Sequence, residues 1–222
     1  MSIVSFSPDW FLGFDSLLEF LTTIIVLSIG YYALKVFRLS KASKYFYLSF
    51  SFFAIGIAYL AKALSNILIF LEASRTEVLF IKLQNIVLLR NAGLIAYMAL
   101  ILISYVTLVA LSLKIKDKKV LSLLVVLAIL ATILGGSYFL LFHVVSIVLL
   151  LYIMPYFFKR YQESKNNYTL GIFISFMLIT LSHVFNVLLL TGNLEWYVIA
   201  EVAQLVGYVG LLMNLVWCLR NG

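Results

Sequence analysis

The sequence predicts an all-α, polytopic membrane protein with seven transmembrane helices, and three observations carry that prediction. Of 222 residues, 64% are apolar and only 11% charged, against roughly 25% charged in a soluble domain. The mean hydropathy is +1.12, and several apolar runs approach the roughly 20 residues that a helix needs to cross a hydrocarbon core of about 30 Å. The basic residues gather in alternate loops. These features exclude a water-soluble globule. Seven helices of about 21 residues leave only about 75 positions for ends and loops, too few for a separate catalytic or DNA-binding domain. A single transmembrane domain over residues 1–222 is expected, with any function lying among the helices or on short loops.

Apolar runs bounded by charges place the helices at 15–36, 45–70, 91–113, 120–134, 138–158, 168–190 and 196–219. Asp15 opens the first, where the helix dipole favours an acid. No Lys or Arg precedes it and a full-length apolar span follows, so a cleaved secretory signal is not expected. Between the second and third helices, 72–90 interleaves Val78, Leu79, Ile81, Leu83, Ile86 and Leu89 with Glu77, Lys82, Gln84 and Asn85. That pattern reads either as an interfacial amphipathic helix or as an early extension of the third helix. The Gly135, Gly136, Ser137 turn makes the fourth and fifth helices close antiparallel neighbours. Gly207 and Gly210 in the seventh permit close packing. Cys218, the single cysteine, allows no internal disulfide or thiolate cluster and reads as a small apolar wall residue.

Orientation follows from the Lys and Arg bias of short loops. Twelve of the sixteen basic residues share one side: Lys35, Arg38, Lys41, Lys44, Lys114, Lys116, Lys118, Lys119, Lys159, Arg160, Lys165 and Arg220. Arg75, Lys82 and Arg90 fall on the other, and Lys62 lies within the second helix. The amino terminus is therefore expected outside and the carboxyl terminus in the cytoplasm of a multi-pass cell-membrane protein. Six or eight helices would put basic loops on both sides. The net charge of +7 reflects this orientation and implies no nucleic-acid partner.

The sequence also carries an internal similarity of the kind left by duplicated helix groups. Leu94, Ile95, Ala96, Tyr97, Met98, Ala99 and Leu100 match Leu205, Val206, Gly207, Tyr208, Val209, Gly210 and Leu211 in order. Tyr45, Phe50 and Phe53 correspond to Tyr168, Phe173 and Phe176, and Ile25, Val26, Leu27 and Arg38 to Ile147, Val148, Leu149 and Arg160. One insertion at the amphipathic stretch reconciles the offsets. Parallel repeats over 15–113 and 138–219 would be joined by a linker helix at 120–134; chance among apolar, aromatic-rich segments is the competing reading. This 3+1+3 arrangement resembles the SWEET sugar carriers and their PQ-loop relatives, and it implies parallel triplets and an outside amino terminus. The family's Pro-Gln signature is absent, since Pro8 and Pro155 are the only prolines, and the resemblance assigns no substrate. Phe11 to Asp15, then Tyr31, Tyr32, Ala33, Leu34 and Lys35, then 45–53, are similar to small uncharacterised seven-helix integral membrane proteins of archaea, which lend no activity.

Ionisable groups within a span are costly and usually face the bundle interior, where they mark a site or pathway. At 1.5 Å per residue, Glu19, Lys62, His143, His183 and Glu201 all lie about 6–12 Å below the outer helix ends. Asn66, Asn186 and Gln204 belong to the same layer, while the cytoplasmic half is almost wholly apolar or aromatic. A polar pocket open to the outer surface, or just beneath it, is expected, with Glu19 and Glu201 as counter-ions for Lys62. Arg90 occupies the repeat position of Glu201 and offers a second pairing. Structural pairs near helix ends, with snorkelling side chains, are the plainer account of the same residues. His143 and His183 are candidate metal or haem ligands, with Glu19 or Glu201 able to add a carboxylate, but two histidines with no HExxH spacing fall short of a zinc site. No cofactor is expected, and a buried His183 hydrogen-bonded to Asn186 or to tyrosines is the simpler expectation.

The seventh helix has no lysine for a retinal Schiff base, Ser112, Leu113 and Lys114 replace the receptor-type Asp-Arg-Tyr, and no proline follows Asn214. No Walker loop, GxSxG or Rossmann fingerprint occurs. The leading expectation is a non-enzymatic transporter or pore for a small molecule or ion, with Glu19, Lys62, Asn66, Arg90, His183, Asn186, Glu201 and Gln204 as its lining. The alternatives are a receptor or sensor module signalling to a separate partner, and a metal- or haem-binding membrane subunit. A homo-oligomer is compatible with each.

Overall fold

The computed structural model describes residues 7–11, 13–73, 80–115, 117–133 and 138–221. Among them are seven α-helices and no strand: α1 (Phe14–Ser40), α2 (Ser43–Ala73), α3 (Phe80–Ser112), α4 (Lys118–Ile133), α5 (Tyr138–Ser164), α6 (Asn167–Leu188) and α7 (Glu195–Asn221). Six are long and apolar enough to cross a membrane. The exception is α4: its 16 residues reach about 24 Å at 1.5 Å each, short of the about 20 residues that an upright span requires. Within the stretch where the sequence left two readings, Glu72 ends in α2, residues 80–90 begin α3 as its extension, and 74–79 lie outside the described residues.

Local chemistry sets the helix ends. The Asp15 carboxylate accepts from the backbone N–H groups of Gly13 (3.0 Å) and Ser16 (2.7 Å), covering donors that the first turn of α1 leaves free. Asn166 caps α6 by accepting from the Tyr168 N–H at 3.0 Å. Left-handed lysines follow α1, α3 and α5: Lys41 (φ 55°), Lys114 (φ 57°) and Lys165 (φ 52°). Pro155 sits inside α5 and removes one helix donor, which a spanning helix tolerates when the freed carbonyl finds another partner.

Packing is sequential and closes on itself. Helix α1 packs on α2, α2 on α3, α3 on α5, α5 on α6, α6 on α7 and α7 back on α1, while α4 sits outside this ring against α3 and α5. Outward faces carry exposed Leu17, Phe20, Ile24, Ile57, Leu64, Val148, Leu151, Val202 and Val206, which is how a helix bundle meets lipid rather than water. The core is aromatic, with Tyr59, Tyr97, Tyr105, Tyr208, Phe142 and Phe176 buried together. Close approach of α6 and α7 depends on Gly207: a Cβ there would lie 2.7 Å from the Ile179 Cγ1 and 3.0 Å from the Ser175 carbonyl oxygen.

Candidate functional site

On α7 the residues Tyr197, Glu201, Gln204, Tyr208 and Leu211 are all buried, and their spacing of four, three, four and three places them on one inward stripe. On α2 the matching stripe is Tyr59, Lys62 and Asn66, and on α1 it runs through Asp15, Glu19 and Thr22. Where the three stripes meet, Lys62 Nζ lies 2.8 Å from Glu19 Oε1 and 2.8 Å from Glu201 Oε1. Asn66 Nδ2 donates to both carboxylate oxygens of Glu19, at 3.1 and 3.0 Å. The Tyr97 and Tyr197 rings stand 5.3 and 5.6 Å from the ammonium, inside cation–π range.

The cluster is enclosed. Glu19 is 0% and Glu201 5% exposed, with Lys62 at 15%. Above it, the 3-10 turn Asp9–Phe11 lays the buried Phe11 ring edge-on to Tyr197 at 6.3 Å. Trp10 Nε1 donates to Glu195 at 3.4 Å beside it.

A second polar network continues from the cluster into the core. Tyr97 donates its hydroxyl to that of Tyr59 at 3.5 Å, and the Tyr59 ring packs edge-on to both Tyr97 (5.4 Å) and Tyr208 (5.9 Å). The hydroxyls of Tyr208 and Tyr105 are 3.5 Å apart. Tyr105 meets His183 Nε2 at 3.1 Å, and His183 Nδ1 meets His143 Nδ1 at 2.8 Å.

The chain matches no family model, no curated protein and no solved structure.

Among the residues the sequence singled out, Glu19, Lys62, Asn66 and Glu201 meet in one cluster. Gln204 is buried one turn further along α7, and its Nε2 has no hydrogen-bond partner among the described residues. His183 belongs to the tyrosine network. Asn186 turns back on its own helix and donates to the Ser182 carbonyl at 3.0 Å, so the partners of His183 are Tyr105 and His143, not Asn186. The side chain of Arg90 lies outside the described residues; among the described residues, the cation facing Glu201 is Lys62. His143 and His183 direct Nδ1 atoms at each other, and no group of three His, Cys, Asp or Glu side chains among the described residues is placed to hold a metal ion. The sequence reading left out Tyr59, Tyr105 and Tyr197. The available signal was chemical: a tyrosine in mid-span needs a partner for its hydroxyl, and these three fall on the same helical stripes as Lys62, Tyr97 and Glu201.

Proposed function

We propose that the chain is a membrane carrier or pore for a small ion or molecule, and that the Glu19–Lys62–Glu201 cluster is the position its ligand occupies. The observation that supports this is the charge count of an enclosed site: among the described residues, two carboxylates share one ammonium. Fully ionised, the cluster has one negative charge in excess, and an uncompensated charge away from water costs several kcal/mol. The excess is met either by a proton on one carboxylate or by a bound cation, so the position is suited to exchanging one for the other. The tyrosine faces around the ammonium suit a small cation equally well.

The basic loops favour an outside amino terminus with α4 completing a seventh crossing. That crossing requires residues beyond the 16 of α4 to continue the span, and it keeps the basic loops on one side. The proposed setting is a multi-pass cell membrane protein.

The test is flux into proteoliposomes from sodium, potassium and methylammonium salts, compared with vesicles lacking protein. Flux lost in Glu201→Gln, with the helical spectrum unchanged, supports the reading. Equal flux in wild type and variant removes the cluster from the pathway. Ligand-dependent stabilisation without flux of any probe favours a receptor instead.

A further inference from the structure

The contacts from Tyr208 to His143 have a property that ordinary core packing does not require. Each link joins groups that can both donate and accept a hydrogen bond: Tyr208 to Tyr105 at 3.5 Å, Tyr105 to His183 Nε2 at 3.1 Å and His183 Nδ1 to His143 Nδ1 at 2.8 Å. The four side chains belong to α7, α3, α6 and α5 and are 1%, 1%, 1% and 4% exposed, so bulk water does not compete for their protons. Phe139 and Phe142 pack against the His143 ring at 4.5 and 4.8 Å, and Phe142 also against His183 at 5.8 Å. A histidine fixed for packing alone has no need to face a second histidine nitrogen to nitrogen, because a carbonyl or hydroxyl satisfies one nitrogen and the other stays a neutral acceptor.

We infer that Tyr208, Tyr105, His183 and His143 form a proton relay leading inward from the charge cluster. In one arrangement Tyr208 donates to Tyr105, Tyr105 to His183 Nε2, and His183 Nδ1–H to His143 Nδ1, while His143 keeps its proton on Nε2. Transfer moves the Tyr105 proton to His183 Nε2, the Tyr208 proton to Tyr105, and the His183 Nδ1 proton to His143 Nδ1. His143 then releases its Nε2 proton to a water molecule, which leaves as hydronium, and a second water on the cluster side supplies the replacement proton to Tyr208. One proton enters at Tyr208 and one leaves at His143, and every group ends neutral with all three bonds reversed. Tyr59, edge-on to both Tyr208 and Tyr97, connects the entry end to the ring beside Lys62.

The protein has only two histidines, so 15N-histidine labelling of the full chain in bilayers gives an NMR spectrum of these two rings alone. The relay requires both Nδ1 signals to lie between the protonated and unprotonated limits, and to move in opposite directions with temperature. Tyr105→Phe removes the group that exchanges a proton with His183 Nε2, and both signals then move to a limit. Tyr208→Phe, which removes the acceptor for the reversed Tyr105 hydroxyl, shifts the populations towards His183 Nδ1–H. If each wild-type Nδ1 sits at one limit at every temperature, or if averaging persists unchanged in Tyr105→Phe, the relay is wrong. The readout is independent of what the charge cluster carries, so its failure is separate from a failure to find flux.

Discussion

Replacing Lys62 by methionine removes the one ammonium between Glu19 and Glu201 and keeps most of the side-chain volume. Lys62 is 15% exposed and its partners 0% and 5%, so solvent screening is slight. Breaking a buried pair by deleting one partner costs about 3–5 kcal/mol. Glu201→Gln is a different perturbation at the same contact. It exchanges an ion pair for a hydrogen bond from the same ammonium to a neutral amide oxygen, which stays charge-assisted on the donor side, and it also removes the excess negative charge. The two effects oppose, and the net loss is expected to stay within about 1 kcal/mol. At roughly 2–4 °C per kcal/mol for a chain of this size, Lys62→Met lowers the unfolding midpoint by about 6–20 °C and Glu201→Gln by at most about 4 °C. The triple variant Glu19→Gln, Lys62→Met, Glu201→Gln recovers most of the loss, because no charge remains to be compensated. Thermal unfolding followed by tryptophan fluorescence in one detergent compares all three. Equal losses in Lys62→Met and Glu201→Gln would show that the charge balance of the cluster carries no weight.

Other consequences are independent of that cluster. Gly207→Ala forces a methyl group against Ile179 and the Ser175 carbonyl and is expected to cost about 1–3 kcal/mol by overpacking, read as a lowered midpoint; an unchanged midpoint contradicts the close approach of α6 and α7. Leu150→Ala, at a fully buried position, costs about 2–5 kcal/mol, while Leu151→Ala, on the exposed face of α5, changes stability by less than about 0.5 kcal/mol; a reversed order would invert the facing of α5. Lys41→Gly relieves a left-handed φ of 55° and is expected to raise stability by up to about 1 kcal/mol. On a Cys218→Ser background, Lys165→Cys is expected to react with an impermeant thiol reagent only from the cytoplasmic side and Asn193→Cys only from outside.

The elements most legible in the sequence were those whose signal is local. An apolar run near 20 residues is sufficient to place α1, α2 and α5 to α7, because a helix satisfies its own backbone wherever it lies. The ends were read short: α1 continues to Ser40 and α5 to Ser164, where polar residues prolong a helix that hydropathy alone stops at the last apolar position. Contacts between helices were legible at the short turn that makes α4 and α5 neighbours, at Gly207, and where charge made them obligatory. Lys62 needed a carboxylate at its own depth, and Glu19 and Glu201 were the acids in that layer. Nothing local told whether His183 would face Asn186, Tyr105 or His143, because the choice depends on how α3, α5 and α6 rotate against each other. The helical stripe through Tyr197, Glu201, Gln204 and Tyr208 did carry part of that information, and reading mid-span tyrosines as polar residues brings the network into view.

The claim that the enclosed cluster exchanges a cation is tested most directly by charge movement on a solid-supported membrane bearing the reconstituted protein. A jump in sodium, potassium or methylammonium concentration is expected to give a protein-dependent current with at least one of these probes, and Glu201→Gln, still folded, is expected to abolish it. Equal currents in wild type and variant, or none in either with all three cations, would contradict the account.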